Sequence, residues 1–318
     1  MPAALLALIF VVVAGMITGV AIMFLSKSDH RPVTEAVQRS PVESLASTGL
    51  RPAAAQPARK QQNKDGEEWE RTIEKKTELL QQEAPRAASS TTKPVDSGAG
   101  SAASPSLATA VDSVRHAVVT LIQDADGFGS AFVVQRRRWL ATNLHVVAGA
   151  NRAVAVRRDD DGSDLIKIAV EGFVACDPGA DLVILVLNED WPGRPLILAG
   201  ERPRLGEDVF AVGSPKGLTE TITKGIVSSV RSAGEIGHSG LHPSTKIIQT
   251  DAFVTHGNSG GPLCSTSGKV VGVNTFVRKN ESGGVEFHFA VAAEELARLI
   301  QRANGPTRPL ADLPPLRD

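Results

Sequence analysis

A serine in a glycine-rich stretch is the residue of this chain best suited to act as a nucleophile. The stretch, residues 251–263, reads DAFVTHGNSGGPL, and Ser259 lies in it with glycines before and after. Glycines let a substrate backbone approach closely and let the chain adopt conformations that a Cβ would forbid. The backbone N–H groups of Gly257 and Ser259 would then point at one position, where the oxyanion of an acyl transfer forms.

A serine hydroxyl is a weak nucleophile, so this hypothesis requires a base and a residue that orients the base. His145 follows a predicted strand in the segment TNLHVV, and an imidazole can accept a serine proton near neutral pH. A carboxylate must then orient the imidazole. Asp181 lies at the start of the apolar run LVILVL, whereas Asp177 precedes Pro-Gly and is typical of a turn. We therefore predict Asp181 as the third member.

Other polar groups have simpler structural explanations. The acidic run 159–161 before a glycine is typical of a solvated turn, and Asp251 is interpreted as a structural hydrogen-bonding residue beneath the serine loop. His238 and His242 share a loop that contains Gly, Ser and Pro, and a metal site there is the weaker interpretation. We predict no metal and no cofactor.

Composition argues against several classes of function. The 318 residues carry a formal net charge of -1 with mixed signs, so no global field attracts nucleic acid or acidic substrates. Tyrosine is absent and aromatic residues are few, which removes the case for a base-stacking surface. Cys176 and Cys264 are too few for a disulfide scaffold, and we expect two buried free thiols rather than one bridge.

The N-terminal segment predicts a membrane anchor. Residues 5–25 contain no charged side chain and are long enough to span a bilayer as a helix. We predict an uncleaved transmembrane anchor in residues 1–26 rather than a cleaved signal peptide, because no clear small-residue cleavage site follows. Lys27 and Arg31 follow the span and favour a cytoplasmic position for the rest of the chain.

Residues 27–106 differ in composition from both neighbouring parts of the chain. They are rich in Ala, Pro, Ser, Thr, Gln and charged residues, which predicts a linker without a packed core. Within the linker, residues 65–83 place Trp69, Ile73 and Leu80 on one helical face. This pattern predicts either a short coiled-coil or docking helix or a transient helix in the linker, since few helices of this size are stable alone.

From residue 107 the sequence alternates short apolar runs with Gly, Pro and Asp. The runs predict about a dozen short strands, which favour an all-β sandwich or a pair of barrels. The predicted strands are 117–122, 129–134, 139–142, 153–156, 165–170, 182–187, 208–212, 219–230, 247–250, 270–275 and 287–291. An amphipathic helix is predicted at 292–302, and a Pro-rich tail at 303–318.

The order His145, Asp181, Ser259 in an all-β chain resembles the chymotrypsin-like serine peptidases, and most closely their HtrA/Deg branch. The resemblance covers about residues 107–302. It is carried by GSAFVV…WLATNLHVV at 129–147, DPGADLVILVL at 177–187, VFAVGSPKGLTETITKGIVSSVR at 209–231, IIQTDAFVTHGNSGGPLCSTSGKVVGVNT at 247–275 and FHFAV at 287–291.

The resemblance implies two packed six-stranded β-barrels, one within residues 107–196 and the other within 203–291, with the triad in the cleft between them. It also implies a serine endopeptidase that cleaves proteins or peptides through an acyl-enzyme. Ser259 would attack the carbonyl, His145 would take and return the proton, and Asp181 would orient His145. Such an enzyme would serve protein quality control or regulated proteolysis at a membrane.

The resemblance extends to the oxyanion loop and the primary pocket. The amides of Gly257 and Ser259 would bind the oxyanion, with Asn258 between them shaping the loop. Phe253, six residues before the serine, would lie near the base of the primary pocket. The other wall is assigned to Asn274, Thr275 and Phe276. Without an acid at the base, a buried Lys or Arg would lack a partner, so small or medium apolar side chains are expected there.

Several expectations depart from the family or stay open. We expect no C-terminal PDZ domain, and a trimer is implied by the resemblance alone. His256 borders the oxyanion loop, where many members have proline or another residue. Because the charge bias beside residues 5–25 is small, we expect an extracytoplasmic peptidase domain. The alternative function is a catalytically silent trypsin-like module that binds peptides or partner proteins.

Overall fold

A computed structural model describes seven stretches of the chain. They are residues 57–82, 106–125, 127–159, 164–213, 221–254, 257–279 and 284–316. Within these stretches, no helix is both long enough and apolar enough to cross a membrane. The predicted anchor at 5–25, most of the predicted linker and His256 lie outside the described residues.

The first barrel closes from six antiparallel strands in the order β1-β2-β3-β6-β5-β4. The strands are β1 (Val118–Gln123), β2 (Phe128–Val134), β3 (Arg136–Asn143), β4 (Ala153–Arg158), β5 (Leu165–Asp177) and β6 (Leu182–Leu187). Every residue of β6 is buried, as its unbroken apolar run predicts. Phe132, Leu140 and Leu185 are fully buried in the core of this barrel.

The second barrel closes in the order β10-β11-β12-β9-β8-β7, again from antiparallel pairs. Its strands are β7 (Asp208–Gly213), β8 (Thr221–Ser232), β9 (Lys246–Thr250), β10 (Pro262–Ser265), β11 (Val270–Lys279) and β12 (Val285–Ala292). The expectation of an all-β fold with two six-stranded barrels is therefore confirmed. Phe210 and Phe289 are buried in its core.

Four α-helices accompany the barrels in the described residues. They are α1 (Pro57–Gln82), α2 (Leu107–Arg115), α3 (Leu144–Val147) and α4 (Ala293–Arg302). Helix α2 was not predicted from the sequence. Its first turn is capped by the Ser106 hydroxyl, which accepts from the Thr109 amide. The C-terminal helix α4 is where the amphipathic pattern predicts it, and its Leu296 and Leu299 are buried.

Helix α1 covers most of the segment in which a short helix was predicted, and it lies against the first barrel. Trp69 and Ile73 pack on a small apolar cluster formed by Ile122 of β1 and Val154 and Val156 of β4. The apolar face of α1 is therefore docked on the first barrel, which supplies the packing that a helix of this size needs.

Residues after α4 return to the first barrel. Phe173 of β5 and Arg308 exchange two backbone hydrogen bonds of 2.8 Å, and the Arg308 guanidinium lies over the Phe173 ring at 4.3 Å. Leu310 is buried in the same core cluster as the barrel residues. The Pro-rich segment is therefore attached to β5.

Both cysteines are free thiols in the structure. Cys264 is fully buried, and burial raises the pKa of its thiol. Cys176 is partly buried, and its pKa is also raised, first by burial. Both are therefore held as thiols rather than thiolates near neutral pH.

Candidate active site

The backbone around α3 fixes the position of His145. Strand β3 ends at Asn143, and its side-chain amide donates to the Asp181 carbonyl oxygen at 3.0 Å. The Leu144 amide donates to that same oxygen at 3.1 Å. These two hydrogen bonds tie the backbone just before His145 to Asp181, the residue that precedes β6.

The Asp181 carboxylate contacts His145 twice. Its Oδ2 lies 2.6 Å from His145 Nδ1, and its Oδ1 accepts from the His145 amide at 3.0 Å. The Thr275 hydroxyl donates to Oδ2 at 3.0 Å, so a residue of the second barrel completes the carboxylate's environment. The carboxylate is 12% exposed and the His145 side chain 34% exposed, which leaves the far edge of the imidazole accessible.

The two candidate aspartates before β6 have different roles in the structure. Asp177 Oδ1 accepts from the amides of Gly179 and Ala180 at 3.0 and 3.1 Å, which is an aspartate capping a turn. Asp181 follows with a φ of 52°, an uncommon conformation for a residue with a Cβ. Of the two, Asp181 is therefore the one that contacts His145.

The Ser259 loop is tied to both barrels. The Ser130 amide of β2 donates to the Ser259 carbonyl oxygen at 2.8 Å, and the Gly260 amide donates to the Asn274 carbonyl oxygen at 2.8 Å. Gly260 has a φ of +83°, and a Cβ there would lie 2.1 Å from Ser130 O and Thr142 Oγ1. Only glycine fits at this position.

The Ser259 hydroxyl donates to the Thr275 carbonyl oxygen at 3.1 Å. Among the described residues, the structure gives it no hydrogen bond to His145. Thr275 thus links the two parts of the site, since its hydroxyl binds Asp181 and its carbonyl binds Ser259. Ser259 is half-buried.

The other residues of the predicted oxyanion loop are buried. Gly257 has a φ of +101°, and its carbonyl oxygen accepts from the Ser130 hydroxyl at 2.6 Å. Asn258 is 1% exposed, and its side-chain amide donates to the Phe253 carbonyl oxygen at 3.5 Å. Sequence reasoning missed Ser130 and Thr142 as supports of this loop, because both come from strands far away along the chain.

The residues predicted for the primary pocket lie in different environments. Phe253 is 53% exposed and makes an edge contact with the His288 ring at 5.2 Å. Asn274 is buried, and its side-chain amide donates to the Pro262 carbonyl oxygen. Phe276 stacks on Phe289 at 4.9 Å between centroids.

A cavity of about 290 Å³ opens beside the His145–Asp181 pair. Its lining comprises His145, Pro178, Asp181, His238, Gly240, Leu241, Thr275, Phe276 and Leu316. The centroids of the His238 and Phe276 rings lie 4.0 Å apart. His242 is not among the lining residues, and its Nδ1 is hydrogen-bonded to the Ser244 hydroxyl. No local pattern predicts that His238 or Leu316 lines this cavity, because loop and tail residues reach the cleft only through the fold.

Asp251 has the structural role that its position suggests. Its Oδ1 accepts a hydrogen bond of 2.6 Å from the Ile226 amide of β8. A Cβ on Gly225 would lie 2.3 Å from that same oxygen. Asp251 therefore ties β8 to the segment that leads into the Ser259 loop.

Two barrels with a His–Asp pair and a serine loop between them are typical of a serine peptidase, and comparisons with known proteins agree with that class. Residues 129–273 match the family described as a trypsin-like peptidase domain. A "probable periplasmic serine endoprotease DegP-like" of Bartonella henselae is 36% identical over 177 residues, which is 55% of this chain and 33% of that protein. The magnetosome formation protease MamE of Paramagnetospirillum magneticum is 31% identical over 190 residues, 59% of this chain and 25% of that protein.

Solved structures give the same result. The HtrA-type protease AlgW with a tripeptide is 32% identical, with a TM-score of 0.52 over 62% of this chain and 63% of that one. The chain is therefore similar to the HtrA-type serine proteases, with a match to the trypsin-like peptidase domain at residues 129–273. It spans about a third or less of the length of the two curated relatives above.

Proposed function

We propose that this protein is a serine endopeptidase that hydrolyses peptide bonds in proteins or peptides through an acyl-enzyme, with Ser259, His145 and Asp181 as its triad. The observation that carries the proposal is the His145–Asp181 pair, which Thr275 of the second barrel holds beside the Ser259 loop. One residue of the second barrel binds the Asp181 carboxylate with its hydroxyl and the Ser259 hydroxyl with its carbonyl. The family of the domain supports the same reaction.

The geometry supports distinct roles for the three residues. With Asp181 bound to its Nδ1, His145 would present Nε2 as the acceptor for the Ser259 proton. Ser259 Oγ then attacks the peptide carbonyl, and His145 gives the proton to the leaving amine. Water releases the acyl group in the second half of the reaction. The Asp181 carboxylate stabilises the imidazolium that forms in both halves.

The Ser259 hydroxyl must first leave the Thr275 carbonyl. This is a change of one side-chain rotamer. Catalytic hydrogen bonds are often formed only once substrate is bound. The amides of Gly257 and Ser259 would bind the oxyanion, while Asn258 supports the loop from its buried position.

Hydrolysis of an unfolded protein tests the proposal. The full chain should release fluorescent peptides from fluorescein-labelled casein, and Ser259→Ala should abolish the release. Ser267→Ala is the matched control, because Ser267 is exposed and lies after β10. Equal hydrolysis by the wild-type protein and Ser259→Ala would contradict the proposed function.

One observation favours the second candidate function, a silent module that binds peptides or partner proteins. The Ser259 hydroxyl is bonded to the Thr275 carbonyl instead of to His145. If this bond persists with substrate present, the module binds peptide without cleaving it. A folded protein that binds unfolded casein and releases no peptides from it would favour this second function.

We also propose that the protein is anchored to a membrane, with its peptidase domain outside the cytoplasm, and that it acts in protein quality control or regulated proteolysis there. The apolar segment 5–25 supports the anchor, and the periplasmic relative supports the side of the membrane. Added protease should digest residues 107–302 when the outer face of the membrane is accessible. Protection of these residues, followed by digestion after the membrane is lysed, would contradict the proposed orientation.

Two finer points rest on the resemblance and the sequence. Small or medium apolar side chains are proposed at the cleavage position, because Phe253 stands where a basic substrate residue would need an acid. Faster cleavage of a Lys or Arg peptide would contradict this specificity. The homotrimer stays a prediction, and light scattering of the purified protein tests it.

A further inference from the structure

Helix α1 has no part in the proposed catalysis, although its sequence is amphipathic and its apolar face is docked. Trp69 and Ile73 are four residues apart and therefore share one face of the helix. They pack on a docking surface formed by Ile122, Val154 and Val156. These three residues are at most 5% exposed and form a cluster separate from the main core. The first barrel therefore has an apolar surface of its own for α1.

The same helix contacts the last residue of β1. Lys76 Nζ donates to the Gln123 carbonyl oxygen at 3.4 Å. The Gln123 side chain holds the turn that follows, since its Oε1 accepts from the Ala125 amide at 2.6 Å. The Gln123 amide donates to the Gly127 carbonyl oxygen at 3.4 Å and so closes the hairpin of β1 and β2. Helix α1 therefore lies against the closed end of this hairpin.

The second strand of that hairpin supports the nucleophile loop. The Ser130 amide of β2 donates to the Ser259 carbonyl oxygen at 2.8 Å, and the Ser130 hydroxyl donates to the Gly257 carbonyl oxygen at 2.6 Å. A Cβ on Gly129 would lie 3.2 Å from that same Ser259 oxygen, so the start of β2 is in close contact with the loop. One hairpin thus contacts α1 at its closed end and the Ser259 loop along its second strand.

The docking of α1 is suited to be reversible. Trp69 and Ile73 are only partly buried, and the glutamates of the helix between residues 67 and 78 are exposed. These few contacts must offset the ordering of a helix that is marginal alone. Helix α1 also lies between the proposed anchor at 5–25 and the barrels in the chain. A partner that binds this part of the chain can therefore shift the balance between docked and released α1.

We propose that docking of α1 on the first barrel sets the reactivity of Ser259. Docked α1 holds the β1–β2 hairpin and, through Ser130, the oxyanion loop in the reactive arrangement, and release of α1 lowers the reactivity. The proposal rests on the proposed function, because it regulates the nucleophile of that reaction. Helix α1 is a positioning element and takes no part in the chemistry. Such coupling requires a two-state element that biases the site, and α1 is that element.

The test measures the second-order rate constant with which a small fluorophosphonate labels Ser259 in the full chain. Ser259 Oγ bonds to phosphorus, fluoride leaves, and the hydroxyl proton passes to His145. The double variant Trp69→Ala/Ile73→Ala should lower this rate constant about fivefold or more, since it removes the docked face and touches no residue of the site. Trp69→Phe/Ile73→Leu keeps apolar side chains on that face and should retain most of the wild-type rate.

The matched control is Glu70→Ala/Lys75→Ala, two exposed positions of the same helix, and it should react like the wild-type protein. Hydrogen exchange separates coupling from a general loss of stability. In the double alanine variant the amides of α1, of the β1–β2 hairpin and of residues 257–263 should exchange faster. Those of β12 and α4 should exchange as in the wild-type protein.

Labelling of the double alanine variant within about twofold of the wild-type rate, with α1 released in hydrogen exchange, would overturn the inference and leave the proposed function intact. Slower labelling with faster exchange throughout both barrels would mean that α1 only stabilises the fold, which also overturns it. An equal loss in Glu70→Ala/Lys75→Ala would show that the docked face is not responsible. Folded wild-type protein that carries no label on Ser259 would overturn the proposed function, and the inference with it.

Discussion

Asp181 is the residue at which the two barrels meet within the site. Its main chain precedes β6 of the first barrel and accepts from Asn143 and Leu144, while its carboxylate accepts from Thr275 of the second barrel. The carboxylate therefore fixes the imidazole of His145 relative to Ser259, which shares Thr275 with it. Removing its charge should therefore lower the catalytic rate more than it lowers the stability of the fold.

Asp181→Asn tests this role, because it retains the shape of the side chain and removes the charge. An amide nitrogen facing His145 Nδ1 would favour the imidazole tautomer that cannot accept the Ser259 proton. We expect kcat to fall about 10³- to 10⁴-fold, measured with a peptide substrate, and the melting temperature to change little. Asp177→Asn is the control. A fall of less than about tenfold would contradict the role given to Asp181.

His288 gives a prediction about pH. It is 8% exposed, its Nδ1 accepts from the Val254 amide at 3.0 Å, and burial lowers its pKa. The unfolded chain, with a histidine pKa of about 6.5, then binds more protons than the folded one as the pH falls. The stabilisation that neutral His288 contributes is fully present above about pH 6.5. It is lost as the pH falls toward the lower pKa that His288 has in the folded protein.

His288→Asn should reduce this loss, since an amide oxygen can still accept from Val254 and does not titrate. Urea unfolding at pH 7.5 and pH 5.5 measures the change in the free energy of unfolding for each protein. The exposed His242→Asn serves as the control and should behave like the wild-type protein. A loss on acidification that is as large in His288→Asn as in the wild-type protein would exclude His288 as its source.

At the scale of elements, the Ser259 loop depends on contacts from distant strands. Ser130 of β2 binds the loop through its amide and its hydroxyl, and Thr142 of β3 binds the Ser130 carbonyl oxygen. Gly260 lies directly against both of these residues. The serine is thus positioned by the first barrel, although its own loop belongs to the second.

Gly260→Ala tests this packing. The added Cβ would meet Ser130 O and Thr142 Oγ1, and the positive φ adds its own strain, so we expect a loss of at least about 3 kcal/mol of unfolding free energy. Gly206→Ala is matched in backbone, with a φ of +79° and no atom within 4 Å of the added Cβ. It should cost only about 1–2 kcal/mol in urea unfolding. Equal losses would show that packing at Gly260 is unimportant.

The sequence predicts elements better than it predicts their contacts. Strand β6 and the helix at 293–302 follow from local apolar patterns, and His145, Asp181 and Ser259 follow from residue type and motif. Helix α2 was missed because nine residues are too few to show a clear helical period. The contacts of Thr275 with Asp181 and of Leu316 with the cavity join residues far apart in the chain, so no local pattern reports them.

At the scale of the whole molecule, α4 joins the two barrels. It follows β12 and packs against β11 and β12 of the second barrel and β5 and β6 of the first. Its Arg302 donates to Asp177 Oδ2 at 2.6 Å, at the turn that leads to Asp181. The cleft between the barrels is therefore supported by this helix from outside.

Leu296→Ala tests that support, because Leu296 is fully buried under α4. We expect a loss of about 2–5 kcal/mol of unfolding free energy in urea. Tryptophan fluorescence, which reports on Trp69 of α1 and on Trp139 and Trp191 of the first barrel, should follow the same transition as far-ultraviolet circular dichroism. The exposed Leu205→Ala is the control. Separate transitions for the two signals would contradict the coupling of the barrels through α4.

Covalent labelling tests whether Ser259 is an activated nucleophile. The full chain is treated with a fluorophosphonate, and the modified residue is identified by mass spectrometry, beside Ser259→Ala and Ser267→Ala. We predict one adduct, on Ser259, which is absent from Ser259→Ala and retained in Ser267→Ala. Folded wild-type protein that carries no adduct on Ser259 would contradict the claim and favour a module that binds peptides without cleaving them.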